Sequence, residues 1–168
     1  MLSESDLLDR LEAIPPLSDW RGTVYRHVFG NTPPDRANTR GARWNPSDTP
    51  ALYTSVAPEV ALAEAAYLIG LQPIPPSAPR WLYRLDLALH SVLDLTQPGR
   101  LSVIGLHRRD LAVIGHAGCQ RVGGLVAMLG HDGLLVPSAR AYGSNLVVYP
   151  QNRRPGFSFE IVSVHPAP

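Results

Sequence analysis

Residues 41–46 are GARWNP, residues 51–55 are ALYTS and residues 58–64 are PEVALAE. Glycine, asparagine and proline in the first segment are typical of a turn, and the apolar second segment is typical of a short strand. Proline at the first position of the third segment suits the start of a helix. This turn–strand–helix unit carries a guanidinium, an indole, a phenol and a carboxylate, contributed by Arg43, Trp44, Tyr53 and Glu64. Such a polar set beside an apolar helix indicates a ligand site.

The size and charge of the chain exclude several classes of protein. Its 168 residues, 45% of them apolar, are typical of one globular domain with a buried core. A net charge of +1 argues against direct nucleic-acid binding. No run of about 18 apolar residues and no signal-peptide pattern occurs, so no membrane span is expected. The single cysteine, Cys119, rules out an internal disulfide and favours a cytoplasmic location.

The rest of the chain predicts an α+β fold. Residues 7–14 have the pattern of a short amphipathic helix that ends before two prolines, and residues 31–49 form a long loop. Strands are predicted at residues 24–29, 51–55, 81–87, 92–95, 133–137, 146–149 and 159–164, and helices at residues 58–69 and in parts of the glycine-rich segment 100–130. Because the strands flank a helical middle without a regular strand–helix repeat, a single α+β domain is favoured over a doubly wound fold.

Glu64 is the only charged residue between positions 60 and 79. On a helix it lies in line with Val60 and Leu68, an apolar stripe that we expect to face inward. A buried carboxylate needs partners, because an unpaired buried charge costs several kcal/mol, roughly. Glu64 is therefore either one half of a salt bridge to a core arginine, or a carboxylate that faces a cleft and holds a ribose hydroxyl or offsets positive charge on a sugar.

Two arginines are candidates for binding phosphate groups. All fifteen basic residues are arginine, which a GC-rich genome also explains, so their positions must carry the argument. Arg43 follows a glycine in the predicted turn, next to Trp44, whose flat face suits a ring or the guanidinium itself. Arg26 is a charge within an apolar strand, on the opposite face from its two neighbours. Arg26 either faces the same cleft as Glu64 or pairs with that carboxylate. Arg43 is either a phosphate ligand or a packing residue.

Three further polar residues have both a structural and a functional interpretation. Tyr53 packs in a strand or contacts a ligand, Ser138 ends a strand at a ligand or at an ordinary turn, and Asn145 orients a ligand or caps a turn. The six histidines are scattered without the spacing of a zinc site, so no metal is predicted. The third glycine of a dinucleotide fingerprint, the serine elbow of hydrolases and the lysine of a phosphate loop are all missing.

Taken together, these motifs resemble the RES-domain family, which is named for its Arg, Glu and Ser and supplies the toxins of Xre–RES toxin–antitoxin pairs. The resemblance spans about residues 24–150 of a single 168-residue domain. The motifs that carry it are Tyr25-Arg26, Gly-Ala-Arg43-Trp-Asn-Pro, Leu-Tyr53-Thr-Ser, Ala-Leu-Ala-Glu64, Pro-Ser138-Ala-Arg and Gly-Ser-Asn145-Leu-Val-Val-Tyr-Pro. It implies an ADP-ribosyltransferase-like fold with a split sheet, and NAD as a substrate rather than a cofactor.

The resemblance also implies roles for individual residues. Arg26 and Arg43 would hold the NAD phosphates, and Tyr53 would pack on or hydrogen-bond the nicotinamide riboside. Glu64 would stabilise the ribosyl cation, and Ser138 would position the ribose or the acceptor. The chemistry agrees, because the departing nicotinamide is neutral and the protein has only to stabilise charge at the sugar and at the diphosphate.

The binding set predicted for NAD is completed by Trp44 and Asn145. The sequence departs from the family pattern at Ala42, where glycine is more usual, and at Tyr149, where phenylalanine is common, and residues 100–132 inherit no role. The resemblance leaves phosphate, water or a protein as the acceptor and implies an Xre-type helix-turn-helix antitoxin as a partner. A protein-modifying ADP-ribosyltransferase, a non-catalytic nucleotide-binding domain and a homodimeric assembly remain as alternatives.

Overall fold

The computed structural model describes residues 2–168. Its helices are α1 (Glu4–Glu12), α2 (Pro58–Gly70), α3 (Arg100–Val103) and α4 (Ala117–Met128), and its strands are β1 (Leu17–Phe29), β2 (Leu52–Ser55), β3 (Arg80–Asp94), β4 (Gly133–Pro137), β5 (Ser144–Val148) and β6 (Ser158–Pro166). Two short 3₁₀ helices lie at Arg108–Leu111 and Pro150–Asn152. The α+β prediction, with a sheet core and flanking helices, is confirmed.

The sheet consists of two antiparallel three-stranded halves. One half has the order β1–β3–β6 and the other has the order β2–β5–β4. The halves join where β1 pairs with β2 at a single register position and where β3 runs parallel to β4 over three positions. All six strands therefore belong to one hydrogen-bonded sheet, in which β1 contacts both halves.

Strand β1 begins well before its predicted start, and strand β3 joins two predicted strands into one. The two strands pair from Leu17 with Val92 to Phe29 with Arg80, with an interruption at Asp19. The sequence predicted only residues 24–29 of β1 and treated β3 as two pieces. The polar first half of β1 has no strand signal of its own, but pairing with β3 satisfies its backbone groups. Tertiary pairing therefore overrides local composition here.

Helix α1 begins and ends earlier than the predicted residues 7–14. Ser3 is its N-cap, and the hydroxyl accepts a hydrogen bond from the backbone N–H of Asp6. Leu7 and Leu11 are buried, as the amphipathic pattern predicts. The helix ends at Glu12 because the residues that precede a proline are disfavoured in helical conformation.

The core has two parts, and one of them supports the 41–46 turn. Trp44, Tyr149 and the buried face of α4 belong to the larger part. Gly123 of α4 lies so close to the turn that a β-carbon there would sit 1.9 Å from the carbonyl oxygen of Trp44. A glycine is needed at this point of the helix because the backbone of the turn occupies the space of a side chain. None of the helices formed by residues 2–168 has the length and apolar character to cross a membrane.

Candidate active site

A cavity of about 570 Å³ opens at the junction of the two half-sheets. Its walls come from β1, β2, helix α2, the 41–46 turn and the segment before α4. Six of the predicted site residues border it, namely Arg26, Arg43, Trp44, Tyr53, Glu64 and Asn145. Strands, a helix and a turn that are distant in sequence thus bring six of the seven predicted site residues to one cavity.

The Glu64 carboxylate is held at one oxygen and free at the other. Its Oε1 accepts hydrogen bonds from Ser138 Oγ at 2.7 Å and from Asn145 Nδ2 at 2.8 Å. Within residues 2–168 it forms no ion pair, and Oε2 accepts no hydrogen bond. The predicted alternative of a structural salt bridge is therefore wrong. Two neutral donors, Ser138 and Asn145, fix the Glu64 side chain without compensating its charge, which faces the cavity.

The stripe that contains Glu64 runs from the core to the rim of the cavity. Val60 is fully buried, Glu64 is half-buried, and Leu68 is 58% exposed. The expectation that the whole stripe faces inward was wrong at Leu68, which borders the open cavity instead of the core. Glu64 lies between Val60 and Leu68 on this stripe, so its carboxylate is placed where the core meets the cavity.

Ser138 positions Glu64 and has no capacity left for a ligand. The side chain is only 1% exposed, and its hydroxyl proton is directed at Glu64. Its oxygen accepts from the backbone N–H groups of Arg140 at 3.1 Å and Ala141 at 3.2 Å. One donor and two acceptor positions complete the capacity of a hydroxyl. The predicted direct contact of Ser138 with ribose or acceptor is thus not supported, and the residue acts through the carboxylate.

Asn145 links Glu64 to strand β2. Its Nδ2 donates to Glu64, and its Oδ1 accepts from Ser55 Oγ at 2.7 Å. Ser55 is 4% exposed and was missed from the sequence, where it was simply the last residue of a strand. The second amide proton of Asn145 has no partner within residues 2–168, and the residue borders the cavity, so contact with a ligand remains compatible with the structure.

The 41–46 turn is held by the phenol of Tyr53. Its hydroxyl donates to Asn45 Oδ1 at 2.7 Å and accepts from the Trp44 backbone N–H at 2.8 Å. Burial raises the pKa of Tyr53 well above that of an ordinary phenol, while the hydrogen bond from Trp44 acts in the opposite direction. The hydroxyl therefore stays protonated and engaged in the turn. The structure supports packing of the Tyr53 ring against a ligand, but not the predicted hydrogen bond or a catalytic role for the phenol.

Asn45 and Tyr149 complete the support of the turn, and neither was predicted to do so. Asn45 is fully buried, and its amide donates to the carbonyl of Thr49 at 2.8 Å. The hydroxyl of Tyr149 donates to the Trp44 carbonyl at 2.9 Å, a bond that phenylalanine at this position cannot make. The departure from the family pattern at Tyr149 thus adds a fixed point to the turn that carries Arg43.

Trp44 does not offer an aromatic face to the cavity. The residue is 2% exposed and packs in the larger part of the core. The prediction of a stacking surface was wrong because the indole follows the turn inward, and Trp44 contributes to the site through its backbone hydrogen bonds. The neighbouring Arg43 remains at the cavity, and its Nη1 donates to the Val113 carbonyl at 3.3 Å.

Arg26 borders the cavity as predicted, but it is not the partner of Glu64. Its Nη1 donates to the Tyr53 carbonyl at 2.7 Å and its Nη2 to the Arg36 carbonyl at 2.9 Å. Its buried Nε has no hydrogen-bond partner within residues 2–168. Burial lowers the pKa of Arg26 to about 10, with the charge of Asp35 acting in the opposite direction, so the guanidinium stays charged at neutral pH. It is a cation held by carbonyl groups and available to an anion.

Three residues at the far side of the cavity had no assigned role in the sequence. Tyr67 and His116 border the cavity, and the guanidinium carbon of Arg140 lies 3.3 Å above the centre of the Tyr67 ring. Tyr67 lies three positions after Glu64 on α2, so a helical spacing rule was its only available signal. Arg140 and His116 lie in loops and carry no such signal. The cavity is therefore bordered by one carboxylate and two guanidiniums, with a third guanidinium stacked on Tyr67 at its wall, a balance suited to a ligand with several negative charges.

Known proteins are similar to this chain in sequence and in structure over most of its length. Residues 17–167 match the family model of the RES domain. The NAD(+) phosphorylase MbcT of Mycobacterium tuberculosis is 31% identical over 163 residues, which cover 91% of this chain and 86% of that protein. The MbcT of Mycobacterium bovis has the same identity and coverage. A chain in the crystal structure of the M. tuberculosis MbcT–MbcA toxin–antitoxin complex aligns with a TM-score of 0.84 and 29% identity, over 96% of this chain and 92% of that chain. This chain belongs to the RES-domain family.

Proposed function

We propose that this protein is the toxin of a toxin–antitoxin pair and that it cleaves the nicotinamide–ribose bond of NAD, with phosphate as the acceptor. The observation that carries the proposal is the Glu64 carboxylate, fixed at Oε1 by Ser138 and Asn145 and unpaired at Oε2 on the cavity. Membership of the RES-domain family and the likeness to an NAD(+) phosphorylase support it.

The reaction needs negative charge next to the ribose. As the bond to the ring nitrogen lengthens, its electron pair moves to nicotinamide, and positive charge develops at the ribose C1 and ring oxygen. Glu64 stabilises that charge without forming a covalent bond. A carboxylate that is already fixed needs no reorganisation in the transition state, which is the main advantage of a preorganised site. Nicotinamide departs as a neutral molecule, so the departing side needs no acid.

The diphosphate of NAD needs positive charge at a distance from Glu64. Arg26 supplies it from β1, where the carbonyls of Tyr53 and Arg36 hold the guanidinium. Arg43 supplies it from the 41–46 turn. Guanidiniums hold phosphate oxygens through paired N–H donors, so both residues bind and orient the dinucleotide. NAD is thus a substrate, and no resident cofactor is part of the proposal.

The proposed partner is a protein antitoxin of the Xre helix-turn-helix type, expressed with the toxin in the cytoplasm. The M. tuberculosis relative is part of a toxin–antitoxin complex, which supports a protein partner, and the Xre class rests on the family resemblance. A homodimer is the alternative assembly, and light scattering of the isolated chain and of the coexpressed pair distinguishes the two.

The direct test is incubation of the purified chain with NAD, with and without inorganic phosphate. We expect release of nicotinamide and formation of ADP-ribose 1-phosphate only when phosphate is present. Free ADP-ribose in both buffers would indicate water as the acceptor, and labelled NAD that tags a protein would indicate an ADP-ribosyltransferase. Intact NAD in both buffers would contradict the proposal.

A further inference from the structure

Two guanidiniums are anchored side by side on consecutive carbonyls of the loop before α4. Arg43 Nη1 donates to the Val113 carbonyl at 3.3 Å, and Arg140 Nη2 donates to the Ala112 carbonyl at 3.4 Å. Each guanidinium has five N–H donors, and each uses one of them here. Neither forms an ion pair with a carboxylate within residues 2–168. The loop thus holds two like charges together and leaves most of their donors for another group.

Arg140 is also tied to the Glu64 end of the cavity. Its backbone N–H donates to Ser138 Oγ at 3.1 Å, and that hydroxyl donates to Glu64. Its guanidinium stacks on Tyr67, which borders the cavity one helical turn after Glu64. The positive charge of Arg140 therefore lies near the place where the ribose C1 must react.

His116 adds a third nitrogen group to the same region. It borders the cavity, and its buried Nδ1 has no hydrogen-bond partner within residues 2–168. Burial lowers the pKa of His116, and the charges of Arg43 and Arg140 lower it further. Buried polar nitrogens normally have a partner. Two cations that each use a single donor, together with an imidazole nitrogen that has no partner, make a site for an anion.

The place of this site distinguishes its anion from the diphosphate of NAD. Positive charge near the ribose C1 opposes the cation that develops there, unless an anion lies between them. In NAD the diphosphate is attached at the opposite end of the ribose, and the proposed function assigns it to Arg26, which is held by other elements. We propose that Arg140 and His116 form the binding site of the acceptor phosphate, beside Arg43, which the proposed function assigns to the diphosphate. This inference rests on the proposed phosphorolysis and assigns the residues that hold its second substrate.

An oxygen of hydrogen phosphate forms a bond to the ribose C1 while the bond from C1 to the nicotinamide nitrogen breaks. The electron pair of the broken bond stays on the nitrogen, and nicotinamide leaves as a neutral molecule. The phosphate ester then loses its proton to solvent, which gives ADP-ribose 1-phosphate. In this step Arg140 orients the phosphate and offsets its charge.

The test compares Arg140→Gln with Arg109→Gln, a control at a side chain that is 82% exposed and away from the cavity. Nicotinamide release is measured over a range of phosphate at saturating NAD, and over a range of NAD at saturating phosphate. Loss of charged hydrogen bonds predicts that Arg140→Gln raises the KM for phosphate roughly 10- to 100-fold and the KM for NAD less than about threefold. Arg109→Gln should change neither. Arg140→Lys, which keeps the charge but loses the planar fork, should lie between these limits and serves if the glutamine variant does not fold.

An unchanged KM for phosphate, or an equal rise in both KM values, would overturn the inference. So would a wild type that forms free ADP-ribose whether or not phosphate is present, although NAD cleavage itself would then stand. If the wild type cleaves no NAD, the proposed function fails, and calorimetric titration with inorganic phosphate still decides the inference. Binding to Arg109→Gln and none to Arg140→Gln would support the anion site, whereas equal binding would overturn it.

Discussion

Replacing Glu64 with glutamine removes a charge while keeping the hydrogen bonds that hold it. Ser138 and Asn145 both donate to the same oxygen, Oε1, and the amide oxygen of glutamine accepts the same two bonds. Glutamine also has nearly the same helix propensity as glutamate. No cation is paired with Glu64 within residues 2–168, so no partner is left uncompensated. The variant therefore tests the charge and little else.

The expected loss follows from the interaction of one carboxylate with the ribosyl cation. Two unit charges about 4 Å apart interact by about 4 kcal/mol at an effective dielectric constant of about 20. If half of a unit charge has developed in the transition state, the interaction is about 2 kcal/mol. Each 1.36 kcal/mol corresponds to tenfold in rate, so kcat should fall by roughly 30- to 1,000-fold. The free energy of unfolding should change by less than about 1 kcal/mol, because a surface-facing charge without an ion pair contributes little to stability.

The assay is the initial rate of nicotinamide release at saturating phosphate, together with urea unfolding of both proteins. Glu59→Gln is the matched control, since Glu59 lies in the first turn of the same helix, is exposed and should leave kcat unchanged. A Glu64→Gln variant with wild-type unfolding and a kcat within about threefold of the wild type would contradict the proposed role of the Glu64 charge in stabilising the transition state. Charge on the carboxylate would then not drive the reaction.

Two further predictions concern the packing that holds the turn. Gly123→Ala would place a β-carbon 1.9 Å from the Trp44 carbonyl oxygen, so we expect unfolding to be easier by about 3 kcal/mol. Gly70→Ala is its control, because no atom lies within 4 Å of a β-carbon there; equal stability of the two variants in urea would contradict the close approach. Tyr53→Phe leaves the Trp44 N–H and the Asn45 Oδ1 without this partner and should cost about 1 to 3 kcal/mol in the same assay. A loss of NAD cleavage with unchanged stability would instead indicate a direct role of the phenol.

The helices and strands whose own sequences contain start, stop or periodicity signals were predicted correctly. Helix α2 (Pro58–Gly70) was predicted almost to the residue, because a proline suits its first turn and a glycine ends it. The strand β2 (Leu52–Ser55) was also predicted from a local signal, which is an apolar run between turn residues. The first half of β1 was not, because it is polar and acquires strand structure only through pairing with β3. Pairing between residues that are far apart in sequence produces no periodic pattern of apolar residues in the paired strand, so the sequence of β1 alone could not show it.

The same limit applies to the site. Residue type and position were enough to select Glu64 and Arg26, since charges within apolar segments stand out, and Arg43, since it lies beside Trp44 in a glycine-containing turn. The role of Ser138 depends on a hydrogen bond to a residue 74 positions away and on two backbone donors in its own loop. No sequence pattern shows that its hydroxyl is already saturated. Arg140 was part of a quoted motif but received no role, because a loop arginine in a chain rich in arginine gives no signal until its surroundings are known.

The distribution of charge separates binding from catalysis in this site. The charge on the diphosphate of NAD is the same before and during bond cleavage, so cations that hold it stabilise both states alike and act mainly on KM. The positive charge of NAD instead moves, from the nicotinamide ring in the ground state to the ribose in the transition state. A carboxylate accelerates the reaction only if it lies closer to the second position than to the first. Ser138 and Asn145 fix one oxygen of Glu64 through hydrogen bonds. Because the carboxylate is fixed, it cannot move towards the positively charged nicotinamide ring in the ground state. We therefore expect the neutral residues that hold Glu64 to matter to the rate of NAD cleavage as much as its charge does.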